Sequence, residues 1–326
     1  MTLTLTERLV CATYQAYAIS GPGPVPAWVG DLAPPAAPIP PASNCTGYFE
    51  APKAFVSGAN HEDAGFVGRI PEGVLISIRG TTPPVLSQPL PQVYADWLLD
   101  TKIVLGAAAP AFPGKVHPGF LSAYDNLWNK AGMGQAVAAS VAKHLADHPS
   151  LPKKIFVTGH SKGGAVCALV AWTLQGLLGQ HRIVVRTFGS ARVGDQAFAT
   201  AYNAVTNIDH IRYEFDDDIV PHLPIATTLA APMFLAPPWS VVVPQVDPGY
   251  GQVGRLGYIL NDEAATIRFE GQTPGPPTPK ARIAAIAARL QQVPTLQDPT
   301  LGVSYVFDCH RLNTHTNGYV RANYPE

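Results

Sequence analysis

Gly159-His160-Ser161-Lys162-Gly163 sets a serine between two glycines, after the apolar run Ile155–Thr158 and before the helix-forming stretch Ala165–Leu178. Strand, sharp turn and helix is the setting in which a serine hydroxyl is presented as a nucleophile. The glycines let strand and helix backbones approach closely on either side of Ser161. The first helical N–H groups, beginning with that of Lys162, then point at any oxyanion formed beside the serine. The hydroxyl is a weak nucleophile until a neutral imidazole takes its proton and a carboxylate orients that imidazole. Both partners follow in the chain. Asp218 lies in Asp216-Asp217-Asp218, just past the alternating run His210–Phe215, and two histidines, His310 and His315, lie near the C-terminus. Read singly, each has an ordinary explanation: a glycine-rich turn, a solvated acidic turn, a surface or core histidine. Together, in the order Ser, Asp, His, they point to acyl transfer through a covalent intermediate.

Several blocks around these residues resemble a known family, the class 3 lipases, the fungal-lipase-like branch of the α/β-hydrolases. Leu75-Ile76-Ser77-Ile78-Arg79-Gly80-Thr81-Thr82 is similar to that family's oxyanion strand and turn, and Ala95–Asp100 to its following tryptophan segment. Val116–Tyr124 resembles its V-H-x-G-F-L-x-x-Y block. Thr187–Asp195 resembles its T-F-G-x-P-R-V-G-D run, with Ala191 where proline is usual, and Asp218–Pro224 its D-I-V-P-H-L-P segment. The likeness spans roughly residues 70 to 224, with a faint echo at Gly249–Arg255.

The resemblance implies an α/β-hydrolase fold and a carboxylic-ester hydrolase acting on lipid, with Ser161 as nucleophile, Asp218 as the orienting acid and the N–H groups of Thr81 and Lys162 as oxyanion donors. The Thr81 hydroxyl is a candidate third donor. Lys162 stands where the family often has leucine, a change that leaves the backbone donor intact. His315, with Tyr319 four residues later, is similar to the family's H-x-x-x-Y ending and is the expected base; His310, after Phe307-Asp308-Cys309, is the alternative. Phospholipase A1 or lysophospholipase activity, in an exported effector, is the same-class alternative. A catalytically silent lipid-binding module is the alternative of another class. The substrate is expected to be a lipid or ester, with no metal or organic cofactor.

These residues need a sheet to position them. Strands are predicted at 73–79, 154–158, 183–188 and 210–215, and helices at 124–148, 162–178 and 195–205, an alternation that calls for a doubly wound, mainly parallel central sheet with helices on both faces. A strand pair at 255–261 and 265–270 and an alanine-rich helix near 279–292 follow. Leu9–Ile19 reads as an amphipathic first helix packed on the sheet. All 326 residues fit one α/β domain. A Pro-rich arm is predicted over 22–46, with its densest stretch Pro22–Pro41, and a variable C-terminal embellishment over 225–307.

Two uncharged segments bear on substrate. Thr82–Ala95, four of whose residues are proline, follows the oxyanion turn, where the resembled family carries its lid; Ile225–Val246 follows the acid and holds Met233, Phe234, Leu235 and Trp239. Such segments can wall an acyl groove or touch a lipid interface transiently. A formal net charge of −1 gives no ground for a nucleic-acid partner, and a charged fraction of 14% with mean hydropathy of +0.09 suggests apolar surface shielded by covering segments. The segment 1–20 lacks a basic n-region, so no secretory signal is read. No uninterrupted apolar run reaches the length of a transmembrane helix. The expected setting is cytoplasmic, or outside the cell by a signal-independent route. Cys11, Cys45, Cys167 and Cys309 have no metal-ligand spacing.

Overall fold

The computed structural model describes residues 4–25, 50–58, 61–70, 72–81, 111–150, 153–224, 249–290, 309–312, 318–322 and 324–325. Nine strands form one sheet in sequential order: β1 (Gly23–Pro24), β2 (Glu50–Ser57), β3 (Asp63–Ile70), β4 (Gly73–Ile78), β5 (Lys154–His160), β6 (Arg182–Phe188), β7 (Ile208–Phe215), β8 (Arg255–Ile259) and β9 (Ile267–Phe269). The five central strands β4 to β8 are parallel. The edges are antiparallel, β1–β2–β3–β4 on one side and β8–β9 on the other. The helices are α1 (Leu5–Gln15), α2 (Pro118–Asp125), α3 (Met133–Asp147), α4 (Lys162–Leu177), α5 (Gln196–Asn203) and α6 (Pro279–Leu290).

Strand side chains alternate between the two faces. Val74, Ile76, Ile78, Ile155, Val157, Ile183 and Val185 point to the face covered by α2 to α6. Their neighbours Leu75, Phe156 and Val184 point to the opposite face, where α1 packs through Leu9, Ala12 and Ala16. Helices therefore lie on both faces, but the winding is single rather than double: a sequential strand order with crossovers of one hand stacks the crossover helices on one side. The other side is closed by α1 and by the C-terminal tail. Polar anchors seat α1. Thr158 Oγ1 lies 2.7 Å from Thr13 Oγ1, and Ser77 Oγ donates to the Ala12 carbonyl at 3.0 Å.

Some boundaries differ from the sequence reading. The first helix begins four residues early, at Leu5, because Thr4 and Glu7 form a reciprocal capping box. The helix predicted over 124–148 begins at Pro118, capped by His117, and is interrupted by a π turn at Asn126–Lys130 and by Gly132 in the left-handed region at φ 79°. The strands β2 and β3 had no counterpart in the prediction. The segments 82–95 and 225–246, and most of the Pro-rich arm, lie outside the described residues. Cys11 is disulfide-bonded, whereas Cys167 and Cys309 are free, buried thiols. No helix among the described residues is long and apolar enough to cross a membrane.

Candidate active site

Ser161 sits where β5 turns into α4, with φ 58° and ψ −129°. That conformation is costly for a residue with a side chain, and it is held because the flanking packing leaves no alternative. A Cβ on Gly159 would come within 2.8 Å of the Cys167 sulfur and the Gly163 carbonyl, and one on Gly163 would collide with the Ile78 carbonyl. Glycine is therefore required on both sides of the serine. The Ser161 N–H donates to the Phe188 carbonyl at 3.1 Å, which ties the elbow to the carboxyl end of β6.

Asp218 occupies the turn after β7, its N–H bonded to the Phe215 carbonyl at 2.9 Å. Its carboxylate accepts the Val220 N–H at 2.9 Å and the Tyr319 hydroxyl at 2.6 Å. His310 Nδ1 lies 3.1 and 3.0 Å from its two oxygens. Both members of that pair are about 99% buried, each at 1% side-chain exposure. A carboxylate only accepts, so the bond fixes the His310 proton on Nδ1 and leaves Nε2 as the basic nitrogen. Gly189 makes this approach possible: a Cβ there would lie 2.8 Å from Asp218 Oδ2 and 3.0 Å from His310 Nδ1.

The elbow and the Asp218–His310 pair meet through His160. Its ring stacks on that of His310 with centroids 4.5 Å apart, and its Nε2 donates to the His310 carbonyl at 2.6 Å. Its Nδ1 then accepts from the Tyr17 hydroxyl at 2.7 Å. Burial, with His310 beside it, pushes the His160 imidazole well below the ordinary histidine range, so it stays neutral. Tyr319 is held equally firmly. Its oxygen accepts the Phe215 N–H at 3.1 Å, and burial next to Asp218 raises its pKa far above the usual phenol value, keeping it a donor.

The turn after β4 closes the site. A Cβ on Gly80 would lie 3.0 Å from the Ser161 Cβ, so the backbone leading to Thr81 runs against the serine. Thr81 Oγ1 is buried and has no hydrogen-bond partner among the described residues. The Lys162 side chain turns away to Asp63, with Nζ–Oδ1 at 2.8 Å, leaving its position at the start of α4 to the backbone.

The structure thus pairs Asp218 with His310 and sets His310 against His160, the residue before Ser161, with Thr81 and Lys162 flanking the serine. It moves the paired histidine from the expected His315 to the alternative His310; His315 lies outside the described residues. The sequence reading passed over His160, Tyr17 and Gly189 and used Tyr319 only as a spacing mark. Adjacency to Ser161 was the one available signal for His160. The contacts of Tyr17 and Tyr319 span 143 and 101 residues and leave no local pattern.

The fold is that of an α/β-hydrolase. Residues 75–228 match the model of the lipase (class 3) family. Over 134 residues the chain is similar to the lipase of Rhizomucor miehei, with 37% identity covering 40% of this chain and 34% of that protein. It is similar to a phospholipase A1-II 3 of Oryza sativa subsp. japonica, with 31% identity over 147 residues, 39% of this chain and 35% of that one. The alignments thus span about a third of these relatives' own lengths. The solved Rhizomucor miehei triacylglyceride lipase shares the fold, with a TM-score of 0.54 and 23% identity over 78% of each chain.

Proposed function

We propose that the protein is a serine carboxylic-ester hydrolase acting on lipid esters, with Ser161 as nucleophile, His310 as general base and Asp218 as the acid that orients it. The observation that carries this reading is the buried His310–Asp218 pair, stacked on His160, the residue that precedes a strained Ser161. Ser161 Oγ attacks the ester carbonyl while His310 Nε2 takes its proton. The oxyanion is held by the N–H groups of Thr81 and Lys162, and the unpartnered Thr81 hydroxyl supplies a third donor. His310 then returns the proton to the leaving alcohol. A water, deprotonated by the same nitrogen, attacks the acyl-enzyme and restores Ser161. Asp218 stays ionised throughout and stabilises the imidazolium.

The family segment and the lipases among the relatives support a lipid ester as substrate. The plant phospholipase A1 relative keeps the phospholipase reading open as the second one. The disulfide at Cys11 belongs in an oxidising compartment, which favours the exported setting over the cytoplasm. The test is one profile: fatty-acid release from emulsified triacylglycerols of graded chain length, from phosphatidylcholine vesicles and from a soluble short-chain ester, with Ser161→Ala as the blank. Release above the blank from an emulsified glyceride or a phospholipid is expected. Release from none of the three overturns the reading.

A further inference from the structure

Arg192 belongs to the Thr187–Asp195 run, yet the hydrolytic site does not use its side chain. It is 5% exposed, donates to the Pro224 carbonyl at 3.4 Å, and leaves Nε with no acceptor. It forms no ion pair among the described residues. Its neighbours differ. Glu214, 2% exposed, accepts from Arg212 Nε at 2.9 Å and pairs with Arg282 Nη1. Burial works to raise the Glu214 pKa, but Arg282 and Arg212 hold it down at about 2, so its charge is spent on those two arginines. Burial lowers the Arg192 guanidinium to about 10, still charged at neutral pH.

Arg192, Arg212, Arg282 and His222 wall a cavity of about 360 Å³ that is rimmed by the loop 271–279; Glu214 lies behind that wall, against Arg212 and Arg282. Three guanidinium groups face two carboxylates, Glu214 and the half-exposed Glu270, which is 3.6 Å from Arg212. His222 adds no charge, since burial lowers it to about 3. Counted against Glu270 on the wall and Glu214 behind it, the three guanidinium groups leave one positive charge over, and Arg282 Nε and His222 Nδ1 are also buried without partners among the described residues. Unpaired buried charge is expensive and native proteins carry few orphaned polar groups. A guanidinium fork is matched by a planar carboxylate or a phosphate.

We propose that this cavity is a binding site for a small oxyanion, phosphate or carboxylate, held chiefly by Arg192. The volume exceeds what one such group fills, and Pro276 and Pro277 on the rim offer an apolar surface to whatever the oxyanion is attached to. The site is separate from the ester-hydrolysis reading, and its test needs no turnover.

The test is thermal unfolding and calorimetric titration of the full chain with inorganic phosphate and with butyrate, against sodium chloride at matched ionic strength. A saturable rise in Tm with one or both anions, absent with chloride, is expected. Response to phosphate alone names a phosphorylated ligand, and response to butyrate alone a carboxylate. Arg192→Gln should abolish the response while leaving the ligand-free Tm equal or higher, because it removes an unpaired buried cation and strands no carboxylate. Arg282→Gln should instead lower the ligand-free Tm by leaving Glu214 under-compensated. Should Arg192→Gln fail to fold, Arg192→Lys, which keeps charge but loses the fork, should bind about tenfold more weakly. No saturable response to either anion, a response shared by chloride, or an unchanged response in the Arg192 variants overturns the proposal.

Discussion

Tyr319→Phe removes one oxygen from the heart of the site, and the structure fixes what that oxygen does. It donates to Asp218 Oδ2 at 2.6 Å and accepts the N–H of Phe215 at 3.1 Å. A hydrogen bond to a charged group contributes about 1.5–3 kcal/mol, and a stranded buried N–H costs about 1–3 kcal/mol. The two share one oxygen and do not add in full, so we expect a loss of roughly 2–4 kcal/mol. The ring remains against Phe188, Phe215 and His160, so packing is kept. For a chain of 326 residues, at about 1.5 °C per kcal/mol, the Tm should fall by roughly 3–6 °C. Asp218 keeps its bonds to Val220 and His310 but loses the shorter of the two bonds to Oδ2. The kcat on a soluble ester should therefore fall by at most about a hundredfold, the rate equivalent of the lost bond. That is well short of the roughly ten-thousandfold expected of Asp218→Asn through the wrong imidazole tautomer. KM should hardly move, since Tyr319 is fully buried and meets no substrate. Urea and thermal unfolding with steady-state kinetics on the same preparation check this. A variant as stable and as active as the parent would refute the claim that Tyr319 holds the acid in place.

Three further expectations come from the same geometry. Thr81→Val keeps the backbone donor and loses only the hydroxyl, so kcat should fall by roughly tenfold to a thousandfold at constant KM; unchanged kcat leaves the oxyanion to backbone donors alone. Lys162→Leu should lower Tm by stranding Asp63, which then keeps Asn126 Nδ2 at 2.9 Å, while kcat stays within about threefold because the N–H at 162 is untouched; a catalytic collapse would give the ammonium a direct role. Burial lowers His210 and His222 to about 3, below the unfolded value of about 6.5. The unfolded chain therefore binds more protons between those limits, and stability is complete above pH 6.5 and lost as pH falls toward 3. The slope is about 1.4 kcal/mol per pH unit for each histidine, so urea midpoints at pH 7 and pH 5 should differ plainly, and equal midpoints would contradict the buried neutral state.

The settings of Ser161, in a strand-turn-helix, and of Asp218, in the turn after a strand, were legible because they are local. A strand, a glycine-flanked turn and a helix are contiguous in sequence, and an acid after a strand end is contiguous too. The choice of histidine was not local. The motif-like spacing of His315 to Tyr319 ranked it first, yet Tyr319 reaches Asp218 through its own hydroxyl, and it is His310 whose Nδ1 meets the acid. The position of His310 follows from the path of the tail across Phe188, Tyr213 and Phe215, a long-range packing that leaves no local pattern in the sequence. The parallel strands β4 to β7 were readable because both of their faces are buried, which leaves runs such as Val74–Ile78. The strands β2 and β3 carry Pro52, Lys53, Gly65 and Arg69, which break such a run. Gly65 is demanded by the sheet itself, since a Cβ there would come within 2.6 Å of the Ser77 carbonyl. Gly132, in the left-handed region, was a legible stop signal inside the predicted helix 124–148, but the alanine-rich stretch after it masked the break.

The proposed chemistry rests on Ser161 as a nucleophile activated by His310 and not by His315. Covalent labelling with a fluorophosphonate, read by mass spectrometry on the intact protein and its peptides, tests it most directly. One adduct is expected, on Ser161, absent in Ser161→Ala, slowed by about a thousandfold or more in His310→Ala and nearly unchanged in His315→Ala. An adduct on another residue, or labelling that survives His310→Ala and is lost in His315→Ala, would contradict it.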